Sequence, residues 1–281
     1  MIKIVTDTLA CLPQVYAETY KIPVIPQVII FGEESFREGI DMNHQDFLAR
    51  LKQSKDLPKT AAPSPEWFKE AFQALAAEAE TILCIHPSAE MSGTVRSATV
   101  AAQDFPELDI RVIDTRVIAY PLGVMVMLAN RWIEEGMTAD EIVQRLERLS
   151  QKARIYFLVD TLEYLARGGR IGNASALLGT LLQIKPILTL NDGKVDLFQR
   201  ERTYKRAWEF IKSRLNEEYP GQGDDYGFLN IMHAGAQQEA EEAASELKKM
   251  FGLKEIPIID LPPAIITHAG PGTIAVDYFV C

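Results

Sequence analysis

Short apolar runs alternate along the chain with longer stretches in which apolar residues recur every three or four positions. That is the pattern of strands alternating with amphipathic helices. Residues 2–6 predict a first strand ending at Asp7-Thr8. Pro13 suits the opening turn of a helix running to about Tyr20. Residues 24–31 predict a single second strand, broken by Gly32. In residues 43–54 the spacing of Phe47, Leu48 and Leu51 predicts a helix with one apolar face. Ser64-Pro65-Glu66 combines a capping hydroxyl, a proline at the first helical position and an acid near the positive end of the dipole. It predicts a helix reaching about Ala79. Residues 81–85 and 110–114 read as strands, with a helix between them from Ser92-Gly93-Thr94 to about Gln103. Residues 120–135 predict a helix stopped by Gly136, and Thr138 with Glu141 spells a capping box for the next.

From Arg154 onward the grammar changes. Residues 155–159 predict a strand, a short helix ends at Gly168-Gly169, and residues 173–182 predict a helix rich in small side chains. Residues 187–190 and 195–200 flank Asn191-Asp192-Gly193, a hairpin signal because Asp-Gly supplies the positive φ a tight turn demands. The segment 267–272, with His268 in a glycine-rich turn, is expected to follow an apolar strand. Pro220 to Asp225 reads as an exposed loop, and no internal repeat is visible. The fold class expected is α/β in two domains. Residues 1–151 would form a parallel α/β sheet domain, and residues 152–281 a mixed, largely antiparallel α/β domain.

Length and composition agree with that division. A chain of 281 residues, 47% hydrophobic and 24% charged, is globular and long enough for two cores. A net charge of −10 argues against a broad phosphate-binding surface, so nucleic acid is not an expected partner. Cys11, Cys84 and Cys281 are scattered, without metal-ligand spacing or the look of a disulfide framework. The first acid, Asp7, comes too early for a signal peptide. The longest apolar run, residues 121–129, falls far short of the ~20 residues of a membrane span. A reduced, cytoplasmic protein with no stable membrane insertion is expected.

The common catalytic templates are missing. There is no Gly-x-Ser-x-Gly elbow and no Walker loop, and Leu9 stands where an aspartyl-phosphate phosphatase needs a second acid. His44, His86, His233 and His268 lie in separate elements, so no metal site is expected, and nothing calls for a cofactor. What remains are polar loops at the ends of strands, where open α/β sheets take their ligands. Ser92-Gly93-Thr94 opens a helix, and its free N–H groups suit a carboxylate or phosphate; Ser92 can equally be a cap and nothing more. The same two uses fit Ser64 in the polar loop Lys59-Thr60-Ala61-Ala62-Pro63-Ser64-Pro65. Arg167-Gly168-Gly169-Arg170 is either a helix end with favourable cations or an anion contact.

In order, Val5-Thr6-Asp7-Thr8, Lys59-Thr60 with Pro63-Ser64-Pro65, Ser92-Gly93-Thr94 with Ser97-Ala98, Asp114-Thr115, Gly168-Gly169-Arg170-Ile171, Lys185-Pro186-Ile187-Leu188, Asp192-Gly193, Arg202-Thr203 and His268-Ala269-Gly270-Pro271-Gly272 span almost the whole chain. Each is weak alone, but the ordered set resembles the DegV family, bacterial fatty-acid-binding proteins that present acyl chains to a fatty acid kinase. The resemblance implies one long-chain fatty acid, of palmitate or oleate type, in a tunnel between two α/β domains. It implies that Thr60, Ser92 and the Gly93 amide hold the carboxylate, with His268 approaching from the C-terminal domain. Arg170 and Arg202 would reach the head group through water or meet the kinase. Departures from the family pattern fall at Thr8-Leu9, at Ala61-Ala62, at Thr115 and around Tyr120-Pro121, away from Ser92, Gly93 and His268. A carrier without chemistry of its own is the reading that follows. Two others compete: an enzyme acting on an acyl or phosphate substrate with His268 as general base, and a sensor whose ligand only stabilises a surface.

Overall fold

Pairing between distant segments turns the predicted elements into three sheets. The computed structural model describes residues 1–54, 56–177 and 184–281, and the chain divides into two compact units, Met1–Gln151 and Lys152–Cys281. In the first unit a four-stranded parallel sheet runs in the order β2 (Val24–Ile25), β1 (Ile2–Asp7), β6 (Thr81–His86), β7 (Asp109–Asp114). Its central strands are covered on both faces, which is why β6 reads as the unbroken apolar run Ile82-Leu83-Cys84-Ile85, all fully buried. On one face Val5, Ile82 and Cys84 meet Phe68 and Phe72 of α3 (Pro65–Leu75) and Ala98 and Ala101 of α4 (Thr94–Ala102). Helix α5 (Tyr120–Glu134), apolar around most of its circumference, packs against β1 and β6. The helices α1 (Gln14–Tyr20), α2 (His44–Gln53) and α6 (Ala139–Lys152) complete the unit.

Three expectations for this unit need correction. Residues 24–31 are two strands in two sheets: β2 joins the parallel sheet, while β3 (Val28–Phe31) lies between β4 (Glu34–Arg37) and β5 (Lys59–Ala61) in a three-stranded antiparallel sheet. Pro26, with no N–H to offer a ladder, separates them. Lys59-Thr60-Ala61 is accordingly strand and not loop, with Thr60 opposite Ile29. Helix α3 starts at Pro65 as expected, but Ser64 makes no capping hydrogen bond and the helix stops at Leu75. Ala76-Ala77-Glu78 carries no large apolar side chain to hold a further turn against the sheet.

The second unit is built on a six-stranded sheet ordered β10 (Lys194–Glu201), β9 (Lys185–Asn191), β8 (Ala153–Leu158), β13 (Ile274–Phe279), β11 (Gly227–His233), β12 (Ile258–Asp260). Neighbours are antiparallel except β11 and β12. Asp192 and Gly193, at φ 50° and 77°, close the β9–β10 hairpin, the pair of positive values a two-residue turn of matching twist requires. The short helix expected before Gly168 is α7 (Glu163–Arg167). Helices α8 (Tyr204–Glu218) and α9 (Gln237–Phe251) bury Trp208, Ile211, Leu215 and Leu247 against Tyr156, Ile231, Val276 and Tyr278. Of the helix expected over residues 173–182, the segment Gly172–Leu177 is a 3₁₀ helix and residues 178–182 lie outside the described residues. His268 does not come directly after a strand: it sits in the last turn of α10 (Pro263–Ala269), the helix that follows β12. Among the described residues no helix is long and apolar enough to cross a membrane.

Candidate functional site

Parallel strands end with their carboxyl edges aligned, so the residues that finish β1 and β6 come side by side. Asp7 ends β1 and His86 ends β6; Asp7 Oδ2 lies 2.7 Å from His86 Nδ1, and both side chains are fully buried. The other carboxylate oxygen, Oδ1, accepts the Leu9 N–H at 3.0 Å and a Gln27 Nε2 hydrogen at 3.1 Å. A buried carboxylate needs such donors to offset lost hydration. The His86 ring packs edge-on against Phe68, centroids 5.2 Å apart, and its Nε2 has no hydrogen-bond partner among the described residues.

Gln27 reaches Asp7 because the backbone is pinned just past the break at Pro26. Its N–H donates to Thr8 Oγ1 at 3.1 Å, and its carbonyl accepts from Glu38 N–H at 2.9 Å. From there Gln27 Nε2 also donates to Thr94 Oγ1 at 3.0 Å. Thr94 is the first residue of α4; its hydroxyl meets Ser92 Oγ at 2.7 Å and its N–H donates to the same oxygen at 3.3 Å. A continuous polar chain therefore runs from the buried end of β1 to Ser92, which is half-buried, and to exposed Gly93, which caps α4. A methyl group added to Gly93 would stand 3.4 Å from Ala62 Cβ. The end of β5, and so the segment carrying Thr60, lies against the Ser92-Gly93 turn.

The second unit gathers its own set. Gly168 lies so close to His268 that a side chain there would overlap Nδ1, and Arg170 Nη1 donates to the Gly168 carbonyl at 2.6 Å. Burial, and then the nearby Arg170 charge, push the His268 pKa down to about 4, so the imidazole is neutral at neutral pH. Arg202 is exposed, one residue before Thr203, whose hydroxyl caps α8 by accepting Arg206 N–H at 3.2 Å. The first unit thus holds Thr60, Ser92 and Gly93; the second holds Arg170 beside His268, with Arg202 at the start of another helix. Among the described residues no cluster of His, Cys, Asp and Glu is arranged to hold a metal ion. Asp7, Gln27 and Thr94 were hidden from sequence reasoning as partners of Ser92. The one available signal was a glutamine inside an apolar run, directly after a proline.

The profile of the family described as "Uncharacterised protein, DegV family" matches residues 1–280. The chain belongs to the DegV family. A DegV domain-containing protein of Halalkalibacterium halodurans is 32% identical over 280 residues, covering 99% of this chain and 98% of the relative. A solved structure titled as fatty acid binding of a DegV family protein from Thermus thermophilus is 32% identical. It superposes with a TM-score of 0.91 over 100% of this chain and 99% of its own. DegV of Bacillus subtilis, titled a fatty acid binding protein, is 28% identical, with a TM-score of 0.89 and coverage of 100% and 99%. The parallel sheet of the first unit and the mixed sheet of the second match the DegV fold of these structures.

Proposed function

We propose that this DegV protein binds a long-chain fatty acid, of palmitate or oleate type, and presents its carboxylate to a separate fatty acid kinase. The observation that carries this reading is whole-chain similarity to DegV proteins whose solved structures are titled as binding fatty acids. In this reading Thr60, Ser92 and the Gly93 amide hold the carboxylate, His268 offers a neutral imidazole, and Arg170 and Arg202 serve the head group through water or the kinase. The N-terminal N–H groups of α4 lack helical acceptors and carry the positive end of its dipole, which suits an anion. The tail contributes roughly 0.8 kcal/mol per buried methylene, so few polar contacts suffice for tight binding. An imidazole held near 4 is a weak base at neutral pH, which favours binding over general-base catalysis.

Mass spectrometry of a solvent extract from protein purified out of bacteria tests this directly. About one fatty acid per chain is expected, since a preformed apolar site rarely stays empty. With ATP and palmitate the protein alone should form no acyl phosphate. Ser92→Ala should weaken palmitate binding by about tenfold, the worth of one hydrogen bond to a charged group. An extract without lipid, together with no binding of added palmitate, rules the reading out. Acyl phosphate formed without a kinase turns it toward the enzyme.

A further inference from the structure

The direction of each hydrogen bond between Asp7 and Ser92 can be worked out from the donors and acceptors present. Asp7 Oδ1 already accepts the Leu9 N–H, so Gln27 must turn its NH₂ and not its carbonyl toward it. The second hydrogen of the same Nε2 goes to Thr94 Oγ1. Thr94 Oγ1 is thereby an acceptor from Gln27. Its hydroxyl is fully buried, and Ser92 Oγ, 2.7 Å away, is the one acceptor among the described residues for its proton, so Thr94 donates to Ser92 and avoids a buried unpaired donor. Ser92 Oγ also receives the Thr94 N–H. A hydroxyl has two acceptor positions and one proton. With both acceptor positions filled by Thr94, the Ser92 proton points away from the chain that orients it. Asp7, Gln27 and Thr94 are buried, and Ser92 alone in the series is partly exposed.

We propose that Asp7, Gln27 and Thr94 form a one-way hydrogen-bond relay that makes Ser92 an obligate donor, so that the site favours an anionic acceptor, a fatty carboxylate or acyl phosphate, over the neutral and weaker acceptor of the fatty alcohol of equal length. The inference rests on the fatty-acid reading above. Its physical content is that an isolated Ser–Thr pair can share its protons in either direction. Without Gln27 the reverse arrangement turns a Ser92 lone pair toward the ligand and repels an anion. Gln27 and Thr94 are positioning residues in this scheme, and neither touches the ligand.

The test is a double-mutant cycle on delipidated protein, titrated with palmitate and with hexadecanol. Thr94→Val, which keeps the shape and removes the hydroxyl, should weaken palmitate about tenfold and hexadecanol less than about threefold. Thr94→Ser should bind palmitate as the parent does. Added to Ser92→Ala, Thr94→Val should cost nothing further, because its effect passes through Ser92. An equal cost of Thr94→Val with and without Ser92, or for both ligands, overturns the relay and leaves fatty-acid binding standing. A parent protein that binds no palmitate overturns the fatty-acid reading itself, and the relay with it. Melting curves accompany each titration; if Thr94→Val does not fold, Gln27→Met, which removes the amide and retains the volume, is carried through the same cycle with the same criteria.

Discussion

Two buried aspartates show how far the surroundings of one side chain decide its chemistry. Asp7, at a strand end, has His86, the Leu9 amide and Gln27 around its two oxygens. Among the described residues Asp277, in the middle of β13, receives one side-chain hydrogen bond, at 3.4 Å from Asn230 on the neighbouring strand, and its Oδ2 has no partner. Burial pushes the Asp277 pKa well above the ordinary carboxylate value, against a smaller lowering by Asn230. A folded-state pKa raised above the unfolded one means that the folded protein holds the proton longer. The associated stability is full below about pH 4, the unfolded carboxyl value, and is lost as pH rises toward the folded pKa. Asp277→Asn, which stays neutral, should therefore be more stable than the parent at pH 8, by about 1–3 kcal/mol. The gap should close near pH 4. Urea unfolding of both proteins at the two pH values checks this; a variant destabilised equally at both shows the carboxyl to be better satisfied than its contacts indicate.

At the scale of single elements, two helix starts with similar sequence signals behave differently. Thr138 and Glu141 form the reciprocal box ahead of α6: Thr138 N–H donates to Glu141 Oε2 at 2.8 Å, and Glu141 N–H to Thr138 Oγ1 at 3.3 Å. The Thr138 N–H, and then its hydroxyl, hold the Glu141 carboxyl below its usual pKa. Behind the box, Ile142, Leu146 and Leu149 bury one face of the helix. Ser64 precedes α3 with no side-chain cap, the start being set by Pro65 and by burial of Phe68 and Phe72. Thr138→Ala should cost ~1 kcal/mol of stability, and Ser64→Ala close to nothing. Thermal melts of the two variants measure the contrast, and equal losses would show that Ser64 caps after all.

For the whole molecule the decisive quantity is what a bound lipid adds to stability. Each unit has its own apolar core, one under α3 and α4 and one under α8 and α9. A ligand that binds only the folded protein stabilises it by about 2.7 kcal/mol at a hundred times its Kd. For domains of ~150–250 residues each kcal/mol is worth roughly 2–4 °C of Tm. Delipidated protein should melt below the protein as purified, and added palmitate should raise its Tm progressively with concentration. Scanning fluorimetry against a palmitate series reads this out. A flat response alongside a measured affinity would mean that the unfolded chain binds the lipid equally well.

The sequence alone determined whatever depends on neighbours within a few positions. The helix and strand periods, the Thr138–Glu141 box, the Asp192-Gly193 turn and the change of grammar near Gln151 all follow from local φ preferences, capping and the burial of one face. The ordered loops from Asp7 to Gly272 were legible as a family pattern for the same reason, since each is a short segment with its own chemistry. Only the tertiary structure decided which segments meet. It split residues 24–31 between two sheets and brought Thr60 opposite Ile29 as a strand. It also set Asp7 against His86, 79 positions away, and Gln27 against Thr94, 67 positions away. Strand pairing and the burial of a polar side chain are settled by partners remote in sequence, and no local period records who those partners are. The wiring behind Ser92 therefore emerged only when β1, β6 and the segment after Pro26 converged on the first turn of α4.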